Sequence, residues 1–305
     1  NLTTHEITPE ALNMEWANDY IGERGLGTKY LWENMDPKAD AMAPDNVLIF
    51  ATGPLTGTNA STSGRYAVIT KSPLTGAIAC SNSGGKFGAE LKYAGFDLLL
   101  VEGRSEKPVY LLIEGDEISL APAEKIWGKT VWETDEWIKK QHHNPMLKIA
   151  TIGIAGERGA RYASVVNDLH RAAGRSGVGT VMGSKNLKAV AVRGTGGVKV
   201  KDPKRFMTVT QEMKNLLAEH TGGLTKYGTN AMMDTMQEFG GLPTRNFQEV
   251  QFEGADKVDA KAMMKTDDTG HTNLLTNKAC FGCTIACGRI AHIRQDHFTI
   301  QNRKE

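Results

Sequence analysis

Between Val47 and Gly194 the sequence runs through the same order of elements twice, so half of one domain foretells the other half. The first pass opens with an apolar run at 47–51, breaks at Thr52-Gly53-Pro54 and resumes at Gly64-Arg65-Tyr66-Ala67-Val68-Ile69. It passes through Asn82-Ser83-Gly84-Gly85 into a helical stretch at 87–94 and closes on an apolar strand at 96–101. The second pass opens at 148–153 and continues through Ala160-Arg161-Tyr162-Ala163. It then crosses Gly174-Arg175-Ser176-Gly177-Val178-Gly179 and closes at 187–192. From serine to closing glycine is 20 residues in one pass and 18 in the other. Short apolar runs bounded by glycine and proline read as strands, so each pass is a strand-loop-helix-strand unit. Two such units predict two sheets, with both glycine phrases turned toward one shared cavity.

Glycine is the compositional outlier, at 33 of 305 residues, and it gathers in these phrases rather than in a low-complexity tract. Glycine lets a backbone approach a ligand closely, and amides at a helix start attract anions. Lys and Arg number 36 against 35 Asp and Glu, a net charge of +1, which argues against a nucleic-acid partner. Aliphatic runs such as 98–101 fall far short of the roughly 20 residues of a membrane span. The chain therefore reads as a soluble globular protein.

Between the two passes, 109–118 reads as a hairpin around Gly115-Asp116. Residues 1–200 are thus expected to form an α+β domain of two pseudo-symmetric β-sheets with helices. After Gly194 the pattern changes to helical spacing: Phe206, Val209, Met213, Leu216 and Leu217 lie on one face of a helix at 203–220, with Pro203 in its first turn. A second helix is expected at 230–239, capped by Thr229, with Met232, Met233 and Met236 as core filler. Residues 201–305 read as the start of an α-helical domain. The first residues read as mid-strand and Asn1 is not a methionine, while the polar 295–305 shows no helix stop; both ends are expected to be cut short.

Cys280-x-x-Cys283-x-x-x-Cys287 places three of the four cysteines within eight residues. Such crowding suits a metal centre in a reducing compartment, the cytoplasm, rather than a disulfide framework. The first spacing brings two thiolates to one centre, and the second is expected to set a third one helical turn away. Two readings stand: an iron-sulfur cluster, which is favoured, and a Cys3His zinc site completed by His292. Cys80 reads as a small buried residue of a turn. Beside these, Asn82, Gly84 and Gly85 in one phrase and Arg171, Ala172, Gly174 and Arg175 in the other combine open backbone with guanidinium groups, a set suited to phosphate or a fused polar heterocycle. Neither phrase is a Walker loop or a complete dinucleotide fingerprint.

Several phrases together carry a resemblance: Thr52-Gly53-Pro54-Leu55-Thr56-Gly57, Ser63-Gly64-Arg65, Asn82-Ser83-Gly84-Gly85, Gly153-x-Ala155-Gly156-Glu157, His170-Arg171-Ala172-Ala173-Gly174-Arg175, Met182-Gly183-Ser184-Lys185-Asn186-Leu187-Lys188-Ala189 and the cysteine run. In this order they resemble the tungsten-dependent aldehyde:ferredoxin oxidoreductase family over nearly all of the chain. The resemblance implies tungsten held by two pterins (tungstopterin), a magnesium ion bridging the pterin phosphates, and a [4Fe-4S] cluster. It assigns the tungstopterin to Arg65, Asn82, Gly84, Arg171, Ala172 and Gly174, and the cluster to Cys280, Cys283 and Cys287. A fourth cluster cysteine and the proton-handling residues are expected beyond residue 305. The implied activity is oxidation of an aldehyde to a carboxylic acid, with ferredoxin or a ferredoxin-like subunit taking the electrons and a homo-oligomer as the assembly. The alternatives are a relative reducing an aromatic thioester and a non-catalytic iron-sulfur or zinc electron-transfer subunit.

Overall fold

Strands buried on both faces account for the apolar runs of the sequence. The computed structural model describes residues 1–115, 117–266 and 268–291, and these divide into two units, Asn1–Pro203 and one beginning at Lys204. In the first unit, α1 (Met14–Tyr20) and α2 (Glu23–Asn34) precede β1 (Leu48–Thr52), β2 (Tyr66–Lys71) and β3 (Ile78–Ser83). Helix α3 (Phe87–Tyr93) and β4 (Leu98–Val101) complete the first pass. The hairpin β5 (Val109–Glu114) and β6 (Glu117–Pro122) follows, then α4 (Val131–Gln141). The second pass is β7 (Lys148–Thr151), the single turn α5 (Ile154–Glu157), β8 (Val165–Asn167), β9 (Arg171–Ala173), α6 (Val178–Ser184) and β10 (Leu187–Arg193).

The two passes have one topology. One sheet has the order β3-β2-β1-β4, and the other contains β9-β8-β7-β10 with the β5-β6 hairpin added beside β10. Every pairing within the repeated units is antiparallel. Registers agree as well as order: Tyr66 faces Ser83 as Val165 faces Ala173, and Ala51 faces Leu98 as Thr151 faces Ala189. A loop hydrogen bond repeats in the equivalent place, from Thr52 N to Asp97 O and from Ile152 N to Lys188 O. The closing strands read from the sequence thus occupy equivalent positions. The shared Arg-Tyr-Ala phrase does not: Arg65 directly precedes β2, whereas Arg161 lies four residues before β8, so Ser164 is the equivalent of Arg65. The true repeat is in strand register, which a three-letter match cannot resolve.

One core joins the inner faces of both sheets, with Phe50, Tyr66 and Val68 from one, Leu111, Val190 and Val192 from the other, and Phe87, Leu91, Val181 and Met182 from α3 and α6. The opposite face of the first sheet is covered through Leu31 of α2, and that of the second through Ile138 of α4. With both faces covered, β1 and residues 189–192 of β10 show continuous apolar runs rather than alternation. Helices α3 and α6 each dock through a glycine at the second position. A Cβ at Gly88 would lie 3.0 Å from the carbonyls of Gly64 and Arg65, and one at Gly179 would lie 2.3 Å from that of Ser164. Residues 1–5 form turns rather than the expected strand, with Leu2 N donating to Glu102 O.

The second unit contains most of α7 (Pro203–His220), then α8 (Gly222–Tyr227), a 3-10 turn (Gly228–Met232), α9 (Met233–Glu238) and α10 (Ala260–Met264). A two-stranded antiparallel ribbon of β11 (Leu274–Lys278) and β12 (Gly288–Ala291) follows. The helix at 203–220 matches the sequence reading. The second helix begins as a 3-10 turn and Thr229 lies inside it, so Thr229 does not cap; Gly228, at φ +65°, has already turned the chain out of α8. Among the described residues no helix is long and apolar enough to cross a membrane.

Gly179→Ala is expected to destabilise the protein by about 1–3 kcal/mol, because its methyl group meets backbone that cannot rotate away. Gly197, with open space around it, serves as the control: Gly197→Ala should stay within about 0.5 kcal/mol in the same denaturant titration.

Candidate cofactor-binding site

The repeat brings its two glycine phrases together along the neighbouring strands β3 and β9. By register, Asn82 and Gly84 of the first pass are the equivalents of Ala172 and Gly174 of the second. Direct bonds tie the phrases. Arg175 N donates to Ser81 Oγ at 3.0 Å, and Lys86 N donates to Asp168 Oδ2 at 2.7 Å. Between them lies Asn167, 1% exposed, at the end of β8. Its Oδ1 accepts from Tyr66 Oη at 3.0 Å and Ser83 Oγ at 2.7 Å, while its Nδ2 donates to Gly84 O at 2.9 Å and Asp168 Oδ2 at 2.7 Å. Burial raises the Tyr66 phenol far above its usual range, so it stays protonated and donates.

Of the six residues expected to hold the cofactor, Arg65, Ala172 and Gly174 are exposed, Asn82 and Arg171 half-buried and Gly84 buried. Arg65 Nη1 donates to Asn82 Oδ1, and Asn82 Nδ2 donates to Glu23. The second phrase is thus the more open of the two, with Ala172, Gly174 and Arg175 exposed, while Gly84 and Gly85 of the first are buried. A cleft of about 460 Å³ in this unit lies elsewhere, lined by Leu98, Leu99, Leu111, Ile113, Ile118 and Leu120 among others.

The glycines divide into two kinds. Gly85 and Gly177 have φ of +94° and +72°, and a Cβ at either would collide with Asp168 or with Arg161 O, so the fold itself requires them. Gly174 does not have a left-handed φ, and a Cβ there would only touch Ala172 Cβ at 3.9 Å. The fold has no need of glycine at 174. An exposed glycine without a conformational reason, beside a line of cations, is the kind of open cradle that a bulky planar ligand fills. By this criterion the residues present fit a pterin.

Two of the quoted phrases are structural. Glu157 of Gly153-x-Ala155-Gly156-Glu157 pairs with Lys188 of Met182-Gly183-Ser184-Lys185-Asn186-Leu187-Lys188, and both side chains are buried. Their glycines touch as well, since a Cβ at Gly183 would lie 2.1 Å from Gly156 O. Lys185 is fully buried and donates to Pro44 O at 2.9 Å and Gly103 O at 3.0 Å; burial pushes its ammonium down to about 8. Burial also lowers Lys188, against the opposing pull of Glu157.

Cys280, Cys283 and Cys287, all half-buried, lie on the loop closed by the pairing of Lys278 with Gly288. Cys283 N donates to Cys280 O at 3.3 Å across a turn with Gly282 at φ +63°. From Cys283 to Cys287 the chain bends instead of making the expected helical turn, because Ala286 sits at φ +51°. Among the described residues no three Cys, His, Asp or Glu side chains stand in a metal-holding group, and His292 lies outside the described residues. The donor chemistry nonetheless fits iron: three soft sulfurs share one short loop. Cys80 lies in β3 rather than in a turn, and burial raises its thiol.

Sequence reasoning missed Asn167, Glu23 and Arg289. Arg289 donates through Nη1 to Ala286 O and Gly288 O, both at 2.8 Å, and through Nη2 to Thr225 O at 2.7 Å, tying the cysteine loop to α8. Asn167 and Glu23 lie outside every phrase; only Arg289, two residues past Cys287, carried a positional signal.

Residues 1–194 match the family model "Aldehyde ferredoxin oxidoreductase, N-terminal domain", and residues 208–304 match "Aldehyde ferredoxin oxidoreductase, domains 2 & 3". The chain is 49% identical over 296 residues to a tungsten-containing aldehyde ferredoxin oxidoreductase of Pyrococcus abyssi, covering 96% of this chain and 48% of that protein. It is 30% identical to the WOR-like subunit of an aliphatic sulfonate oxidoreductase of Pyrococcus furiosus, again over 96% and 48% of the two chains. Among solved structures, the active site complex BamBC of benzoyl coenzyme A reductase with 1,5-dienoyl-CoA aligns with a TM-score of 0.82 at 31% identity, over 96% of this chain and 46% of that one. The chain spans about half the length of these relatives.

Lys188→Met leaves the Glu157 carboxylate buried without its cation. Chemical denaturation should show a loss of about 3–5 kcal/mol, whereas an unchanged midpoint would make the pair incidental.

Proposed function

The chain belongs to the aldehyde ferredoxin oxidoreductase family, and from that premise we propose that it is the cofactor-binding part of a tungsten enzyme that oxidises aldehydes to carboxylic acids. The net reaction is RCHO + H2O → RCOOH + 2 H⁺ + 2 e⁻, with ferredoxin or a ferredoxin-like subunit as acceptor and the cytoplasm as its setting. The observation that carries the reading is the meeting of both glycine phrases at β3 and β9, with Gly174 open toward a ligand that the fold itself does not explain.

In this reading Arg65, Asn82, Gly84, Arg171, Ala172 and Gly174 would hold the tungstopterin with its magnesium ion, and Cys280, Cys283 and Cys287 would hold a [4Fe-4S] cluster. Once bound, the tungstopterin would supply two-electron chemistry and the cluster one-electron transfer. The chain's own residues bind and orient. The exposed Arg65 and Arg175 and the half-buried Arg171 offset the negative charge of dithiolene sulfurs and phosphates. Ala172 and Gly174 add no bulk, so a flat ring system can lie against the backbone of β9. Arg289 holds the cysteine loop in shape through carbonyls on both sides of Cys287. The same reading makes the intact enzyme a homo-oligomer.

A second reading, reduction of an aromatic thioester, draws on the fold shared with the benzoyl coenzyme A reductase subunit. Sequence identity of 49% against 31% favours the aldehyde. Purified enzyme should reduce a viologen dye with simple aldehydes; turnover of aromatic thioesters alone would select the second reading.

The site assignment is tested by two variants read against each other. Gly174→Val should fold normally yet lose most of its tungsten and pterin, because the side chain occupies the open face. Cys283→Ser should lose most of its iron. Full cofactor content in both variants contradicts the assignment.

A further inference from the structure

We propose that Glu23, which lies in none of the glycine phrases, is a positioning residue that fixes the orientation of Asn82 and through it the placement of Arg65 for the cofactor; what Arg65 holds rests on the reading above. Strand alternation sends Cys80 and Asn82 to one face of β3, where the start of α2 meets them. There Arg24 hydrogen-bonds Cys80, and Glu23 accepts from Asn82 Nδ2.

The polarity of this chain is forced. A carboxylate has only acceptors, so Asn82 must turn its NH2 toward Glu23. Its Oδ1 is then left for Arg65 Nη1, which can only donate. Without Glu23 the amide loses its anchor on α2 and keeps Arg65 as its remaining partner in this relay. Arg65 would then be bonded to an acceptor that is itself no longer held, so an otherwise exposed side chain is no longer kept in one place.

The backbone around Glu23 is shaped for this contact. Ile21 and Glu23 both adopt left-handed φ, at +66° and +43°, which costs side-chain-bearing residues energy. Between them, Gly22 packs so closely on the Thr52-Gly53-Pro54-Leu55-Thr56-Gly57 loop that a Cβ would lie 2.8 Å from Pro54 Cδ. That loop therefore sets the start of α2, and the start of α2 sets the carboxylate. Burial raises the Glu23 carboxyl, while Asn82, Arg65 and Arg24 oppose the rise. The sense of the relay is thus loop to carboxylate to amide to guanidinium, with only the carboxylate outside the motifs.

The test uses enzyme purified from cells grown with tungstate, with tungsten, pterin and iron measured per chain. Glu23→Leu should lower tungsten and pterin about tenfold, the usual scale for residues that orient a metal's ligands, and leave iron unchanged. Asn82→Asp alone sets two carboxylates against each other and should fall as far. The double variant Glu23→Gln with Asn82→Asp reverses the donor and acceptor while keeping the total charge, and removes that repulsion while residue 82 still accepts from Arg65. It should recover most of the tungsten and pterin. Full cofactor in Glu23→Leu, or a double variant no better than Asn82→Asp, overturns the proposal. Wild-type enzyme without tungsten would instead overturn the reading of the cofactor. The relay then stands or falls on a crystal structure of Glu23→Leu: Asn82 and Arg65 unmoved overturn it, and their displacement supports it.

Discussion

The buried amide of Asn167 is the point at which the two halves of the first unit become one structure. It sits on β8 of the second pass, yet three of its four hydrogen bonds reach the first, to Tyr66, Ser83 and Gly84. All its polar capacity is used, so removing it would take a hydrogen-bond partner from two buried hydroxyls and a buried carbonyl, each a cost of about 1 kcal/mol. Two sheets of one topology can share an apolar core in many relative placements, because the hydrophobic effect has no direction. A satisfied polar network selects among them. Here it selects the placement in which β3 and β9 run side by side and their glycine phrases adjoin.

From that placement the division of labour among the phrases follows. Gly85 and Gly177 serve the turn, Gly88 and Gly179 the docking of the helices, and Glu157 with Lys188 the join between α5 and β10. What remains after these structural duties is Gly174 with Ala172, and the arginines around them. Motifs that look alike in sequence thus separate, once packed, into those that make the platform and those that the platform presents.

Much of the fold was legible because apolar runs and glycine breaks fix strand and helix order locally. The closing strands, the hairpin around Gly115 and the helix Pro203–His220 were all readable in this way. The Arg-Tyr-Ala match misled because letters repeat without respect to register, and register is set by pairing across the sheet. The helical turn expected between Cys283 and Cys287 fails at Ala286, whose left-handed φ is held by a ribbon and an arginine further along. Asn167 and Glu23 escaped for the opposite reason: their partners are 84 and 59 positions away, and a lone Asn or Glu has no periodicity to betray it.

On the proposed reading, two copies of one unit present a single cofactor surface at the junction of β3 and β9. Anomalous diffraction from crystals of the loaded enzyme, collected at a tungsten absorption edge, tests it most directly. The account predicts a tungsten peak over that junction, flanked by Gly174 and Arg65. A peak on another face of the first unit, or a cofactor touching only one of the two phrases, would contradict it.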